Sequence, residues 1–186
     1  MSNRLNSIER NIYVTGFMAS GKSTLARSLA NELDLPYKDL DKEIEMRERQ
    51  TIQKIFDHKG EAYFRNKEHS TLIDLTETFK GIVSLGGGAL QDQHLVDLLK
   101  TKGILISVQA PFEKIVKRVQ SSTERPILYD KEGKIKSEAT LKTELKTLYS
   151  NRLRFYEQAQ ITLDTSEFES QQDLIKAAID KIKRHV

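Results

Sequence analysis

Apolar positions follow two rhythms along this chain. Short apolar runs rich in β-branched residues occupy residues 11–15, 82–85, 104–108 and 161–163. Runs of that kind read as strands buried on both faces. Elsewhere apolar residues recur every three or four positions. Leu25, Ala26, Leu29, Ala30 and Leu33 mark a helix over 22–33. Pro36 ends it and starts a short extended piece over 37–41. Further helices are predicted over 42–58 and 61–77, with Lys59-Gly60 as the break, and over 92–101, 112–119, 138–158 and 170–184. Strands alternating with helices predict an α/β fold in three layers, a parallel sheet with helices on both faces.

Residues 120–137 interrupt the pattern. They hold no sustained period and much turn chemistry, and the stretch exceeds an ordinary connection, so a functional or mobile segment is expected there. There is no internal repeat and no low-complexity tract. The 186 residues suit a single domain over 1–186.

Composition narrows the chemistry. The chain has no cysteine, which excludes disulfide scaffolds, zinc–thiolate sites, iron–sulfur clusters and cysteine nucleophiles. Thirty basic against 27 acidic residues give a charge of +3, too small an excess to point to nucleic acid. The longest apolar-leaning stretch near the start, 12–19, is broken by Thr15 and Gly16 and is too short for a membrane span. It also lacks the order of a signal peptide. A cytoplasmic protein without membrane or nucleic-acid partners is the expectation, and a monomer.

The strongest signal is Gly16-Phe-Met-Ala-Ser-Gly21-Lys22-Ser23, a match to G-x-x-x-x-G-K-[ST] between a predicted strand and a predicted helix. Its glycines let the backbone approach an anion. Successive N–H groups and the helix N-terminus offer partial positive charge. Lys22 adds a full charge, the Ser23 hydroxyl is placed for Mg²⁺, and Thr24 follows it. Ala19, Ser20, Gly21, Lys22, Ser23 and Thr24 are therefore the candidate nucleotide-binding residues. Protein-kinase marks (a VAIK-type lysine, HRD, DFG) are absent.

Four other features carry candidate chemistry, each beside a plainer alternative. Asp39 and Asp41 are two apart in an extended piece and would share a face at the ligand end of the sheet. One carboxylate would hold a metal-bound water and the other take a hydroxyl proton; equally, this is an ordinary helix start. Gly86, Gly87 and Gly88 follow a strand that lacks the Walker B acid. Three glycines suggest backbone approaching a ligand, or only a flexible loop. Arg152 falls within the stripe Leu141, Leu145, Leu148, Tyr149, Tyr156, whereas Arg154 faces away. An inward guanidinium calls for a carboxylate partner, from a substrate or from the protein, unless it snorkels. Arg65 gives a weaker signal of the same kind. Arg125, before Pro126, would be a lid charge closing on a nucleotide or a solvated loop residue. The four histidines show no ligand spacing and read as surface residues.

Taken together the residues resemble the shikimate kinase family over about 10–184. GFMASGKST resembles its phosphate loop, DLD its DxD pair, and GEAYFR the helix start with its first substrate arginine. VSLGGGA resembles its glycine motif, ERPIL its lid, and NRLRFY the helix with its second substrate arginine. The resemblance implies a five-stranded parallel sheet with an ATP lid (about 120–137) and transfer of the ATP γ-phosphoryl group to the 3-hydroxyl of shikimate, within aromatic amino-acid biosynthesis. It implies that Lys22 and the loop amides hold phosphates, that Ser23 binds Mg²⁺, and that Asp39 supports the metal through water. Asp41 would bind a shikimate hydroxyl as candidate base, Arg65 and Arg152 the carboxylate, and Gly87 with Gly86 and Gly88 would give backbone contacts. Arg125 would meet the nucleotide. Past the last strand, DTSEFES offers no arginine toward the adenine side. Another small-metabolite or nucleotide kinase, and a catalytically silent nucleotide-binding module, are the alternatives.

Overall fold

Five strands and seven helices alternate in the computed structural model, which describes residues 10–90, 92–122, 126–130 and 132–185. In chain order they are β1 (Asn11–Gly16), α1 (Lys22–Leu33), β2 (Tyr37–Asp39), α2 (Leu40–Glu48), α3 (Ile52–Thr78), β3 (Ile82–Ser84), α4 (Gln93–Lys102), β4 (Gly103–Gln109), α5 (Phe112–Gln120), α6 (Glu138–Tyr156), β5 (Ile161–Asp164) and α7 (Gln171–Lys183). The strands form one parallel sheet in the order β2-β3-β1-β4-β5.

Side-chain alternation sorts the core into two layers. Ile12 and Val14 of β1 join Ile104 and Ile106 of β4 in facing α1 and α7, through Leu25, Leu29, Leu174 and Ile182. Tyr13, Val83 and Leu105 face the other way, onto Leu72 and Leu75 of α3 and Leu95 and Leu99 of α4. A third apolar group gathers Phe17, which follows β1, with Ile115 and Val119 of α5, Leu128, and Leu141, Leu145 and Tyr156 of α6. It ties the loop after β1 to the helix that carries Arg152.

The register brings chemistry to one edge. Val14 of β1 is level with Ser84 of β3, and Ser84 is level with Asp39 of β2. The C-terminal ends of three adjacent strands thus open into one crevice, beside the point where the chain order reverses.

Two expectations are corrected. The extended piece stops at Asp39, whose Oδ1 accepts from the amides of Asp41 and Lys42 and caps α2. Asp41 therefore lies in the first turn of a helix, and the argument from two-residue alternation does not describe the pair. Next, the segment 42–58 is broken earlier than expected. Arg49 is left-handed (φ 53°) at the end of α2, and Thr51 caps α3 by accepting from the Lys54 amide. The expected break at Lys59-Gly60 is present: Gly60 (φ 81°, ψ 171°) leaves the helical region, so α3 is two helical stretches that meet there at a kink.

Within the irregular segment, residues 126–128 form a 3₁₀ turn and Tyr129 bridges antiparallel to Ile135. Asp130 closes that turn by accepting from the Glu132 and Lys134 amides. Ser137 then caps α6.

Candidate active site

The loop between β1 and α1 carries its conformation in its residues. A β-carbon on Gly16 would fall 2.4 Å from the Val108 carbonyl oxygen. Ala19 is left-handed (φ 59°) without being glycine, a strained state for a residue with a β-carbon. Gly21 is left-handed (φ 102°) at the start of α1, and no side chain caps that helix. Its first amides therefore point into the loop, where an anion satisfies them.

A cleft of about 620 Å³ opens in front of this loop. Ala19, Ser20, Gly21, Lys22, Ser23 and Thr24 form one wall, Lys114 and Arg118 of α5 the second, and Thr165, Phe168 and Leu174 the third. Arg118 Nη1 donates to the Ala19 carbonyl at 2.8 Å, holding the strained residue in place. Thr165 Oγ1 is buried in this wall without a hydrogen-bond partner. A polar group left in that state fits a cleft built for a polar ligand.

Below the loop the donors are hard oxygens. Ser23 Oγ and Ser84 Oγ lie 3.0 Å apart, and Asp39 stands level with Ser84. The described residues contain no cluster of three His, Asp or Glu able to cage a metal. Two hydroxyls and one carboxylate suit a magnesium ion that takes most of its ligands from phosphate and water.

The glycines after β3 are spacers for other side chains. A β-carbon on Gly86 would fall 2.9 Å from both Asp41 Oδ1 and Glu68 Oε1. One on Gly87 would fall 3.1 Å from the Met18 amide of the phosphate loop. One on Gly88 would fall 2.9 Å from Arg152 Nη2 and 3.0 Å from Arg65 Nη1. Two guanidinium groups on different helices thus converge over one glycine, and a carboxylate pair meets over the glycine two residues earlier.

The arginines are held differently. Arg65 Nη1 donates to Glu68 Oε2 at 2.6 Å, and Nη2 pairs with Glu61 at 3.3 Å. Arg152 Nη1 donates to the Gly87 carbonyl at 3.0 Å, as does the Tyr156 hydroxyl. Among the described residues Arg152 makes no ion pair with a carboxylate. Burial, with a contribution from Arg65, pulls its pKa below the ordinary guanidinium value. Since guanidinium does not deprotonate in proteins, the shift marks a partly desolvated cation, whose cost Tyr156 and the Glu68 carboxylate offset only in part.

The acids mirror this strain. Burial, then Asp39, pushes the Asp41 carboxyl above its usual range, while Lys22 and Arg65 oppose the shift. Glu68, 3% exposed, is likewise raised by burial and then by Asp41, against the pull of Arg65.

The structure therefore brings together Lys22, Ser23, Asp39, Asp41, Arg65, the glycine triplet and Arg152. Arg125 lies outside the described residues. Sequence reasoning passed over Glu68, although its i, i+3 spacing from Arg65 on one helix is a readable signal. It also passed over Arg118, which only the tertiary fold places against the loop, and it read Tyr156 as core alone.

Comparisons with known proteins agree with this geometry. The family model described as shikimate kinase matches residues 18–183. A shikimate kinase of Aquifex aeolicus (strain VF5) is 37% identical over 81% of this chain and 83% of its own. One from Chlorobaculum tepidum is 34% identical over 94% and 91%. The solved structure of a shikimate kinase from Acinetobacter baumannii in complex with shikimate superposes with a TM-score of 0.83 at 30% identity, covering 97% of this chain and 98% of that one. A gluconokinase from Sinorhizobium meliloti shares the fold at 16% identity, with a TM-score of 0.55. With the sequence, the sheet and the crevice in agreement, the chain belongs to the shikimate kinase family.

Proposed function

We propose that this chain transfers the γ-phosphoryl group of ATP to the 3-hydroxyl of shikimate, giving shikimate 3-phosphate and ADP for aromatic amino-acid biosynthesis. One observation carries the acceptor side of the reading: Arg65 and Arg152 converge over Gly88, and Arg152 lacks a carboxylate of its own among the described residues. Two planar cations aimed at one point recognise a small carboxylate bidentately. Asp41 stands at the other end of the glycine triplet, beside Gly86.

Each residue then has a task. The loop amides and Lys22 hold the phosphate oxygens and neutralise charge in the transition state, which is most of what phosphoryl transfer needs. Ser23, with Asp39 through water, would hold Mg²⁺, which when bound neutralises charge on the nucleotide phosphates. Arg65 and Arg152 fix the carboxylate and so orient the ring. Asp41 accepts the proton of the attacking hydroxyl as its oxygen bonds to the γ-phosphorus and the bond to the ADP oxygen breaks. Its raised pKa makes it a better proton acceptor than a surface carboxylate. Arg125, on the segment over 120–137, is assigned to closure over the nucleotide. No helix among the described residues is long and apolar enough to cross a membrane, and we assign the enzyme to the cytoplasm.

The test is ADP release on mixing the purified chain with ATP, Mg²⁺ and shikimate. Release that depends on shikimate is expected. Release no greater than the shikimate-free background rejects the reading.

A further inference from the structure

A file of hydroxyl groups runs beneath the phosphate loop and ends on a residue that the motifs do not single out. Ser23 Oγ meets Ser84 Oγ at 3.0 Å. The Tyr37 hydroxyl donates to Asp39 Oδ2 at 3.3 Å, and Asp39 is level with Ser84 on the neighbouring strand. The other oxygen of Asp39, Oδ1, takes the amides of Asp41 and Lys42 at 3.1 and 3.3 Å. Both oxygens of this carboxylate are thus oriented, one by the start of α2 and one by a phenol.

Tyr37 is itself held. It is two residues before Asp39 in β2, so both side chains project from one face of the strand. The Arg27 guanidinium sits 5.7 Å from its ring centroid, and the ring packs at the edge of the α1 side of the core. A ring packed in this way restricts where its hydroxyl can lie.

We propose that Tyr37 is a positioning residue for the divalent cation of the nucleotide: its hydroxyl holds the Asp39 carboxylate beside Ser84 and Ser23, so that this carboxylate is set before the metal arrives. The physical ground is that groups behind a metal's partners limit their rotation and restrain where they point. Removing such a group commonly lowers metal affinity ten- to a hundredfold. Because Asp39 acts through water and the Tyr37 contact is long, the effect falls at the lower end. The inference rests on the kinase reading for the presence of a nucleotide-bound cation, and on nothing about the acceptor.

Tyr37→Phe removes only the hydroxyl and keeps the ring, its burial and its stacking on Arg27. The readout is binding of Mn²⁺ to the full chain in the presence of ADP, followed by electron paramagnetic resonance. Affinity about tenfold weaker is expected, with ADP affinity measured without divalent cation unchanged and the melting temperature retained. In a chain already carrying Asp39→Asn, adding Tyr37→Phe should have no further effect. Equal Mn²⁺ affinity in the wild type and Tyr37→Phe overturns the proposal. So does an equal loss of metal-free ADP binding, or a full additional loss on top of Asp39→Asn. Shikimate takes no part in the measurement, so failure of the proposed acceptor would appear in the ADP-release assay and leave this result standing.

Discussion

The two glycine loops at the ends of β1 and β3 use the same residue for different reasons. Gly21 needs its conformation: it is left-handed, and a β-carbon there would meet nothing within 4 Å. Gly88 needs its emptiness: its φ lies outside the left-handed region, but a β-carbon would fall 2.9 Å from one guanidinium and 3.0 Å from another. The first loop bends backbone amides toward an anion. The second clears room for side chains from α3 and α6 to meet. One loop makes a site out of its own main chain, whereas the other makes a site by withdrawing.

That contrast can be broken by substitution. The largest effect is expected at the phosphate loop: Lys22→Ala should lower turnover by about 10³-fold, since a fixed charge on a transferring phosphoryl group is worth several kcal/mol. Shikimate binding, read by calorimetry, should persist; joint loss of both would deny that the two sides are separable. Gly88→Ala comes next. The intruding methyl pushes flexible guanidinium tips rather than backbone, so kcat/KM for shikimate should fall about 10²-fold with an unchanged melting temperature. A large drop in melting temperature would mean that the triplet is needed for its backbone after all.

Gly21→Ala should behave in the opposite way. Nothing clashes, yet an L-residue in a left-handed state costs about 1–2 kcal/mol, which denaturant titration would register as lost stability. No loss would remove the conformational half of the comparison. The smallest change in stability carries an unusual sign. The native Asp41 pKa lies above its unfolded value, so the native state binds more protons and loses stability as pH rises through that interval. Asp41→Asn should therefore raise the melting temperature at neutral pH while activity collapses. The gain should fade as pH drops through the raised native pKa and be gone at the ordinary carboxylate value. A lower melting temperature at neutral pH would show that the buried charge is compensated.

How much of this was legible in the sequence depends on where each signal resides. The α/β order and the phosphate loop were readable because hydrophobic period and glycine spacing are local properties. Arg152 was readable for the same reason, since the helical period alone puts it on the inward stripe. The Asp39–Asp41 pair was found by type and misread in geometry: the Asp39 side chain captures two amides, ends its own strand and swings Asp41 into a helix. The glycine triplet suggested a ligand close to backbone; what the sequence did not reveal is that Asp41 and Glu68, the Met18 amide, and Arg65 with Arg152 also leave no room for a β-carbon there. Glu68 and Arg118 matter only through contacts that folding makes, to Arg65 and to the Ala19 carbonyl.

The Gly87 peptide has an outcome for chemistry that spans both compartments. Its carbonyl receives Arg152 and Tyr156, while a β-carbon on it would fall 3.1 Å from the Met18 amide of the phosphate loop. A single amide unit therefore gauges the gap between donor and acceptor. A linked inhibitor that joins a nucleotide to a cyclic acid would face a nearly rigid ruler, and its tether length should matter more than its flexibility.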